Sequence, residues 1–287
     1  MLPRKSELLP HPDFDYLVIG HIVRDRTAEA FRLGGTAAYA SMTATALGRR
    51  AAVLSSFNHQ LDLTPLKGAV IHNIPSTNTT TFENQYTCTG RLQTLTSLAE
   101  PLTSKDVPLD WRHTPLVHIG PVTQQVSPDF LESFPESWIG LTPQGWLRTS
   151  SAGNLVQLQS WQTLDSRVSA ADAVVLSRED LQNDIDAEEA LAKKCRILAV
   201  TDANNGAFLY HKNRRTHVPA PEYTELDPTG CGDIFAAVFF VGLQQGLEIV
   251  QAARAATRAA ARAVTRRGLA SVPSNKEASR IRNFFQL

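Results

Sequence analysis

The sequence predicts an α/β domain in three layers: a mainly parallel central sheet, helices on both faces, and a small β appendage. Three observations carry this. Short apolar runs alternate with helix-period stretches along most of the chain. Those runs are uniformly apolar, as strands covered on both faces must be. Residues 78–98 differ, being rich in Thr, Tyr, Phe and Gln with Gly90 near the middle. That composition suits a hairpin with one exposed face.

Taken in order, Tyr16 to Gly20 reads as the first buried strand. A polar, partly alternating stretch follows to Leu33. Gly34-Gly35 then opens an Ala-rich helix, Thr36 to Leu47, closed by Gly48. Ala51 to Ser55 and Ala69 to His72 are the next strands. After the hairpin come Leu116 to Gly120, Trp138 to Leu141, Ala173 to Leu176 and Ile197 to Thr201. Helical stretches are expected around Pro128 to Ser133, Ser160 to Val168 and Ala187 to Lys193. Ala207 to Tyr210 and Thr216 to Val218 form a late hairpin, and helices over 231–245, 247–266 and 274–285 finish the chain. Arginines 254, 258, 262 and 266 recur every fourth residue and read as a solvated helix face. With no repeat and no low-complexity linker, residues 1–287 are expected to be a single domain.

Composition excludes several classes. The formal net charge is zero and the apolar fraction is 43%, so a globular chain without nonspecific nucleic-acid binding is expected. No run of 18 apolar residues predicts a membrane span. The start of the chain lacks an apolar core of signal-peptide length, so a cytoplasmic location is expected. Cys88, Cys195 and Cys231 are widely spaced and suit neither a disulfide framework nor a zinc site. No Gly-x-x-x-x-Gly-Lys-Ser/Thr appears, and no Gly-x-Gly-x-x-Gly follows the first strand, which disfavours P-loop enzymes and Rossmann dehydrogenases.

The most informative segment is Asp227-Pro228-Thr229-Gly230-Cys231-Gly232-Asp233, directly before an apolar helical run. Glycines at 230 and 232 let the backbone turn tightly and bring N–H groups close to an anion. The positive end of the helix favours the same anion. Asp233 stands beside it, placed to take a proton from an attacking hydroxyl. Phosphoryl transfer to an alcohol needs that pairing. The plainer reading is an ordinary helix cap.

The segment closely resembles the signature of the ribokinase-like (PfkB) carbohydrate kinases, with Pro228 and Cys231 standing for a usual Thr and Ala. The resemblance extends along the chain. Gly20 to Asp25 looks like the family's first strand and the aspartate that grips sugar hydroxyls. Leu33-Gly34-Gly35-Thr36-Ala37-Ala38-Tyr39 looks like its substrate-side motif. Ser177-Arg178-Glu179-Asp180 falls where the family has Asn-x-x-Glu, and Thr201 to Gly206 where it binds nucleotide. Tyr39 replaces a substrate-binding Asn, Ser177 and Asp180 replace Asn and Glu, and Ala203 replaces a Gly. The aromatic at 39 looks closer to the myo-inositol kinase branch.

The resemblance implies an ATP-dependent kinase acting on a hydroxyl of a small sugar or cyclitol, with myo-inositol preferred. It implies Asp233 as base, with Gly230, Cys231 and Gly232 as the anion turn. Asp25, Gly34, Gly35 and Tyr39 would hold the acceptor. Thr201, Ala203, Gly206 and Thr229 would hold the nucleotide. Mg²⁺ would reach Asp180 through water, and a monovalent cation is compatible. Residues 21–33 and 78–98 would form a β lid, on a monomer or homodimer without membrane or nucleic-acid partners. Each residue also has a plainer reading. Asp25 would be a loop carboxylate, Gly34 and Gly35 the start of a tightly packed helix, Tyr39 core packing, and Asp180 a solvated first-turn acid. A nucleoside kinase with Tyr39, Phe82 and Tyr86 as a stacking surface, and a non-catalytic ligand-binding relative, are the alternatives.

Overall fold

The computed structural model describes residues 13–27, 30–87, 90–149, 153–164 and 167–286, with backbone alone at 86, 87, 90 and 91. The expectations at Tyr86, Cys88 and the turn of the 78–98 hairpin lie outside the described side chains. The first strands are β1 (Tyr16–Ile19), β2 (Val23–Arg26), β3 (Phe31–Gly34), β4 (Ala51–Phe57) and β5 (Val70–Pro75). Then come β6 (Thr81–Thr87), β7 (Gly90–Ser97), β8 (Leu116–Ile119) and β9 (Trp138–Leu141). Three two-residue strands follow: β10 (Arg148–Thr149), β11 (Asn154–Leu155) and β12 (Gln157–Leu158). The last are β13 (Ala173–Ser177), β14 (Leu198–Thr201), β15 (Ala207–His211) and β16 (Arg214–Val218). The α-helices are α1 (Thr36–Ala46), α2 (Ile185–Ala192), α3 (Cys231–Gln244), α4 (Ile249–Ala263) and α5 (Asn275–Phe285).

Among the described residues the main sheet has nine strands in the order β16-β15-β14-β13-β9-β8-β1-β4-β5. Pairing is parallel from β14 through β5 and antiparallel only at the β14–β15–β16 end. Alternation along each strand sends side chains to opposite faces. Tyr16 and Val18 enter one core with α1, α3, α4 and α5, while Leu17 and Ile19 enter the other. The α3 helix is buried almost all round, from Ile234 to Gly242, which explains its unbroken apolar run. Arg254, Arg258 and Arg262 of α4 are exposed, as a solvated face requires. Arg262 and Arg266 pair with Glu277 of α5.

The second face is covered differently from the sequence expectation. Apart from α2 it carries mainly 3₁₀ turns: Pro128–Glu132 replaces the expected helix there, and among the described residues Trp161–Leu164 lies within the stretch 160–168 and Val168–Ala170 starts at its end. Seven prolines between 101 and 143 keep the turns of that stretch short, because each removes an N–H and clashes one turn back. Trp111, Phe130, Phe134 and Trp146 supply the burial that longer helices would otherwise give.

The polar stretch before Leu33 becomes β2 and β3. These join β6, β7 and β11 in a separate five-stranded sheet, ordered β11-β7-β6-β2-β3. Its small core of Val23, Phe82 and Leu95 packs with Val122 from the loop after β8.

Candidate active site

The carboxyl ends of the parallel strands open into a cleft of about 990 Å³. Open α/β sheets bind ligands in this position. Its centre is the turn before α3. Gly230 caps the helix at φ 80°, a conformation that favours glycine. A Cβ on Gly230 would also collide with the Tyr39 ring. Gly232 differs. It carries no positive φ, and a Cβ there would meet no described atom within 4 Å. Its missing side chain leaves the helix end open to the cleft, so the tight turn belongs to Gly230 alone.

The donors at this turn are unequal. Cys231 N–H already donates to Pro228 O at 3.2 Å, and the first helical bond runs from Ile234 N–H to Gly230 O at 2.9 Å. Gly232 and Asp233 N–H therefore precede the i→i−4 ladder and are the orphan donors of the helix start. Asp227 braces the turn: its Oδ1 accepts from Thr229 N–H at 2.9 Å and its Oδ2 from Gly268 N–H at 3.3 Å. Burial beside Asp227 and Asp233 pushes the Cys231 thiol up to about 12. It is therefore neutral near pH 7 and no nucleophile.

Asp233 is half-buried, and its Oδ1 accepts from the Thr36 hydroxyl at 2.7 Å. Burial is the main cause that pushes its pKa up to about 6. The Thr36 hydrogen bond and the Arg148 charge oppose this, and the charges of Asp25 and Asp180 add to it. Thr36 reaches Asp233 because Gly120, at the end of β8, has no side chain: a Cβ there would strike Thr36.

On the acceptor side, Asp25, Gly35 and Tyr39 line the cleft and Gly34 does not. A Cβ on Gly34 would strike the Asp25 carboxylate, so this glycine makes room for Asp25. Tyr39 is 2% exposed and packs beneath the turn with Ile234 and Ala263. It supports Gly230 more than it reaches into the cleft, and burial with three nearby carboxylates raises its pKa.

A polar chain crosses this end, joining Asp25 and Asp180 through Asn84, Gln93 and Arg148, a connection that sequence reading does not reveal. Asn84 Nδ2 donates to Asp25 Oδ1 at 3.4 Å, and Gln93 Nε2 to Asn84 Oδ1 at 3.0 Å. Arg148 Nη1 donates to Gln93 Oε1 at 3.2 Å, and Arg148 Nη2 lies 3.5 Å from Asp180 Oδ1. Gln144, one turn before Arg148, also reaches Asp180 at 3.5 Å. The chain ties β2, β6 and β7 to the main sheet. Gln144 and Arg148 carried one sequence signal, a Gln and an Arg just after an apolar strand.

Asp180 is 3% exposed, not a solvated acid. Its Oδ2 accepts from Ser177 N–H at 3.0 Å and Ser177 Oγ–H at 2.7 Å. Among the described residues no group of three His, Cys, Asp or Glu could cage a metal. Both Asp180 oxygens already have protein partners, Oδ1 from Arg148 and Gln144 and Oδ2 from Ser177, so the only cation contact this chemistry allows is through water.

Thr201, Ala203, Gly206 and Thr229 line the other arm of the cleft, with Tyr223 and the α4 residues Thr257 and Ala260. Ala203 sits at φ 42° and Gly206 at φ 94°. A Cβ on Gly206 would strike Val218 O. Arg178 is a brace. It pairs with Glu188 and Asp202, each at 2.5 Å, and its guanidinium lies 4.4 Å from the Phe208 ring centre.

Residues 156–276, which hold this arm and the α3 turn, match the family described as pfkB family carbohydrate kinase. This stretch of the chain is similar to the PfkB carbohydrate kinases. The chain is 25% identical to inositol 3-kinase of Arabidopsis thaliana over 262 residues, 84% of this chain and 71% of that protein. It is 40% identical to the bifunctional protein HldE of Rhodopseudomonas palustris (strain BisB18) over 100 residues. That match takes in 33% of this chain but spans only 20% of that protein's length. A solved pyrophosphate-dependent kinase in the ribokinase family, complexed with a pyrophosphate analog and myo-inositol, superposes at a TM-score of 0.78. The superposition covers 92% of this chain and 99% of that one at 19% identity, and shows a shared fold. The α/β, mainly parallel architecture expected from the sequence is thus the ribokinase-like one. No described helix is long and apolar enough to cross a membrane.

Proposed function

We propose that this domain transfers the γ-phosphoryl group of ATP to a hydroxyl of a small cyclitol or sugar, with myo-inositol preferred. One observation carries the reading. Asp233 stands at the open end of α3, held by Thr36, at the junction of the two arms of the cleft. One arm presents Asp25, Asn84, Gln93 and Arg148, a set of hydroxyl-binding partners. The other is lined by Thr201, Ala203, Gly206, Thr229 and Tyr223.

In this reading the acceptor hydroxyl binds Asp25 and loses its proton to Asp233 Oδ2 as its oxygen attacks the γ-phosphorus. The bond from that phosphorus to the β-phosphate oxygen breaks, and ADP leaves. The orphan N–H groups of Gly232 and Asp233, with Gly230 and Cys231 forming the turn, face the transferred charge. Arg148 lies between Asp180 and the acceptor arm and offsets the same charge. A Mg²⁺ on the donor phosphates supplies charge neutralisation when bound, and Asp180 would hold it through water. Thr201, Ala203, Gly206 and Thr229 position the nucleotide. The five-stranded sheet acts as a lid whose closure keeps water from the phosphoryl group.

A pyrophosphate donor is the second reading, supported by the likeness to the pyrophosphate-dependent kinase. A nucleoside acceptor is less well supported. Tyr39 and Phe82 are 2% and 4% exposed and offer little open ring face.

The test is a transfer assay with purified protein, Mg²⁺, and ATP or pyrophosphate, against inositols, hexoses, pentoses and nucleosides. Phosphorylated acceptor is detected by mass. The expected result is myo-inositol favoured in kcat/KM at least ~10-fold over ribose or fructose, a gap of about 1.4 kcal/mol. A ribose, fructose or nucleoside preference of that size would refute the cyclitol assignment. No transfer to any acceptor from either donor would refute the kinase reading.

A further inference from the structure

A second concavity of about 600 Å³ lies between the small sheet and the corner after α4. Its charged lining is Arg24, Arg32 and Arg267 against a single carboxylate, Asp62. Alternation along β2 separates the two sites: Asp25 lines the active cleft, and its neighbour Arg24 lines this one. Arg24 is held in place, its guanidinium 4.8 Å from the centre of the Phe31 ring and its Nε donating to Thr81 Oγ1 at 3.4 Å. Planar guanidinium groups lining one hollow suit the oxygens of a phosphate.

We propose that this cleft binds the phosphate group of a small anion, and that binding fastens β3 to the Gly268–Ser271 corner on which it already packs. The site stands on its own geometry and does not depend on the kinase reading. Its two walls lead into the catalytic turn within a few residues. Arg32 lies on β3, which runs through Gly34 and Gly35 to Thr36, the hydroxyl that holds Asp233. Arg267 precedes Gly268, whose N–H holds Asp227 at the start of the anion turn. An anion bridging the walls therefore biases the geometry of Thr36 and Asp227 together, and ligands in the two clefts affect each other reciprocally.

The probes are inorganic phosphate and glycerol 3-phosphate at constant ionic strength, read by hydrogen exchange. The proteins are the wild type, Arg267→Ala and Arg24→Ala. Arg267 is exposed, so its loss leaves the fold intact. Phosphate is expected to slow exchange at 31–34 and 268–271 in the wild type. Arg267→Ala should weaken that effect about 10-fold in apparent affinity, the scale of one charge-assisted contact. Phosphate at the α3 turn would instead slow 229–233 alike in wild type and Arg267→Ala. Glycerol 3-phosphate binding more tightly than phosphate identifies a phosphate monoester as the ligand, and the reverse order identifies free phosphate; either supports the site. Protection confined to 229–233, or equal affinity in the wild type and both variants, overturns the proposal.

Discussion

At the residue scale Asp233 answers two opposed demands. A base must be ionised, yet the half-buried end of the cleft penalises its charge and lifts its pKa to about 6. Activity is therefore expected to fall below about pH 6, read as the acid limb of kcat/KM. Because the folded pKa lies above the unfolded value of 3.8, the native state binds this proton more tightly. The resulting stabilisation is fully present below about pH 4 and is lost as pH rises through 6. Asp233→Asn should thus raise stability at pH 8, on the order of 2 kcal/mol, and less at pH 5. Thermal melts at the two pH values check this; an equal shift at both contradicts it. Arg148→Met should move the acid limb upward by removing a nearby positive charge, and should lower kcat as well. An unmoved limb would show that Arg148 does not act on Asp233. Gly230→Ala is expected to cost about 2 kcal/mol or more, from a left-handed φ and the Tyr39 ring. Denaturant unfolding measures it, and a neutral result would mean that the turn relaxes freely.

At the element scale, the parts that were legible in the sequence are those set by local rules. Uniformly apolar runs marked β1, β4, β8, β9, β13 and β14, and Gly34-Gly35 and Gly230 marked the starts of α1 and α3. What was not legible depends on distant segments meeting. Arg148 is an unremarkable arginine until Gln93 and Asp180 converge on it. Gly34 reads as a ligand contact until Asp25 is seen to occupy its missing side chain. Ala203 was noted as a departure, but not as a residue at φ 42°. Ala203→Gly is expected to stabilise by about 0.5–1 kcal/mol, since relief of left-handed strain exceeds the entropy lost by glycine. A fall in melting temperature would contradict that. Hydrogen exchange in β6 and β7 is expected to slow when acceptor and a nonhydrolysable ATP analogue bind together, because Asn84 and Gln93 link these strands to Arg148. Unchanged exchange there argues against a lid.

At the scale of the whole molecule, the fold brings three remote pieces to one point. Thr36 comes from the start of α1, Asp233 from the start of α3, and Arg148 from the start of β10. Glycines at 34, 120 and 230 clear the space for Asp25, Thr36 and the Tyr39 ring respectively. Sequence patterning could show the strands and the helix starts, but not which ends would share a cleft. The central claim is that Asp233 accepts the acceptor's proton while the α3 turn faces the transferred phosphoryl group. Single-turnover transfer by Asp233→Asn, compared with the wild type at pH 8 and saturating donor and acceptor, tests it most directly. The account expects the chemical step to slow by roughly 10²–10⁴ with donor and acceptor affinities nearly unchanged; a chemical step at the wild-type rate would contradict it.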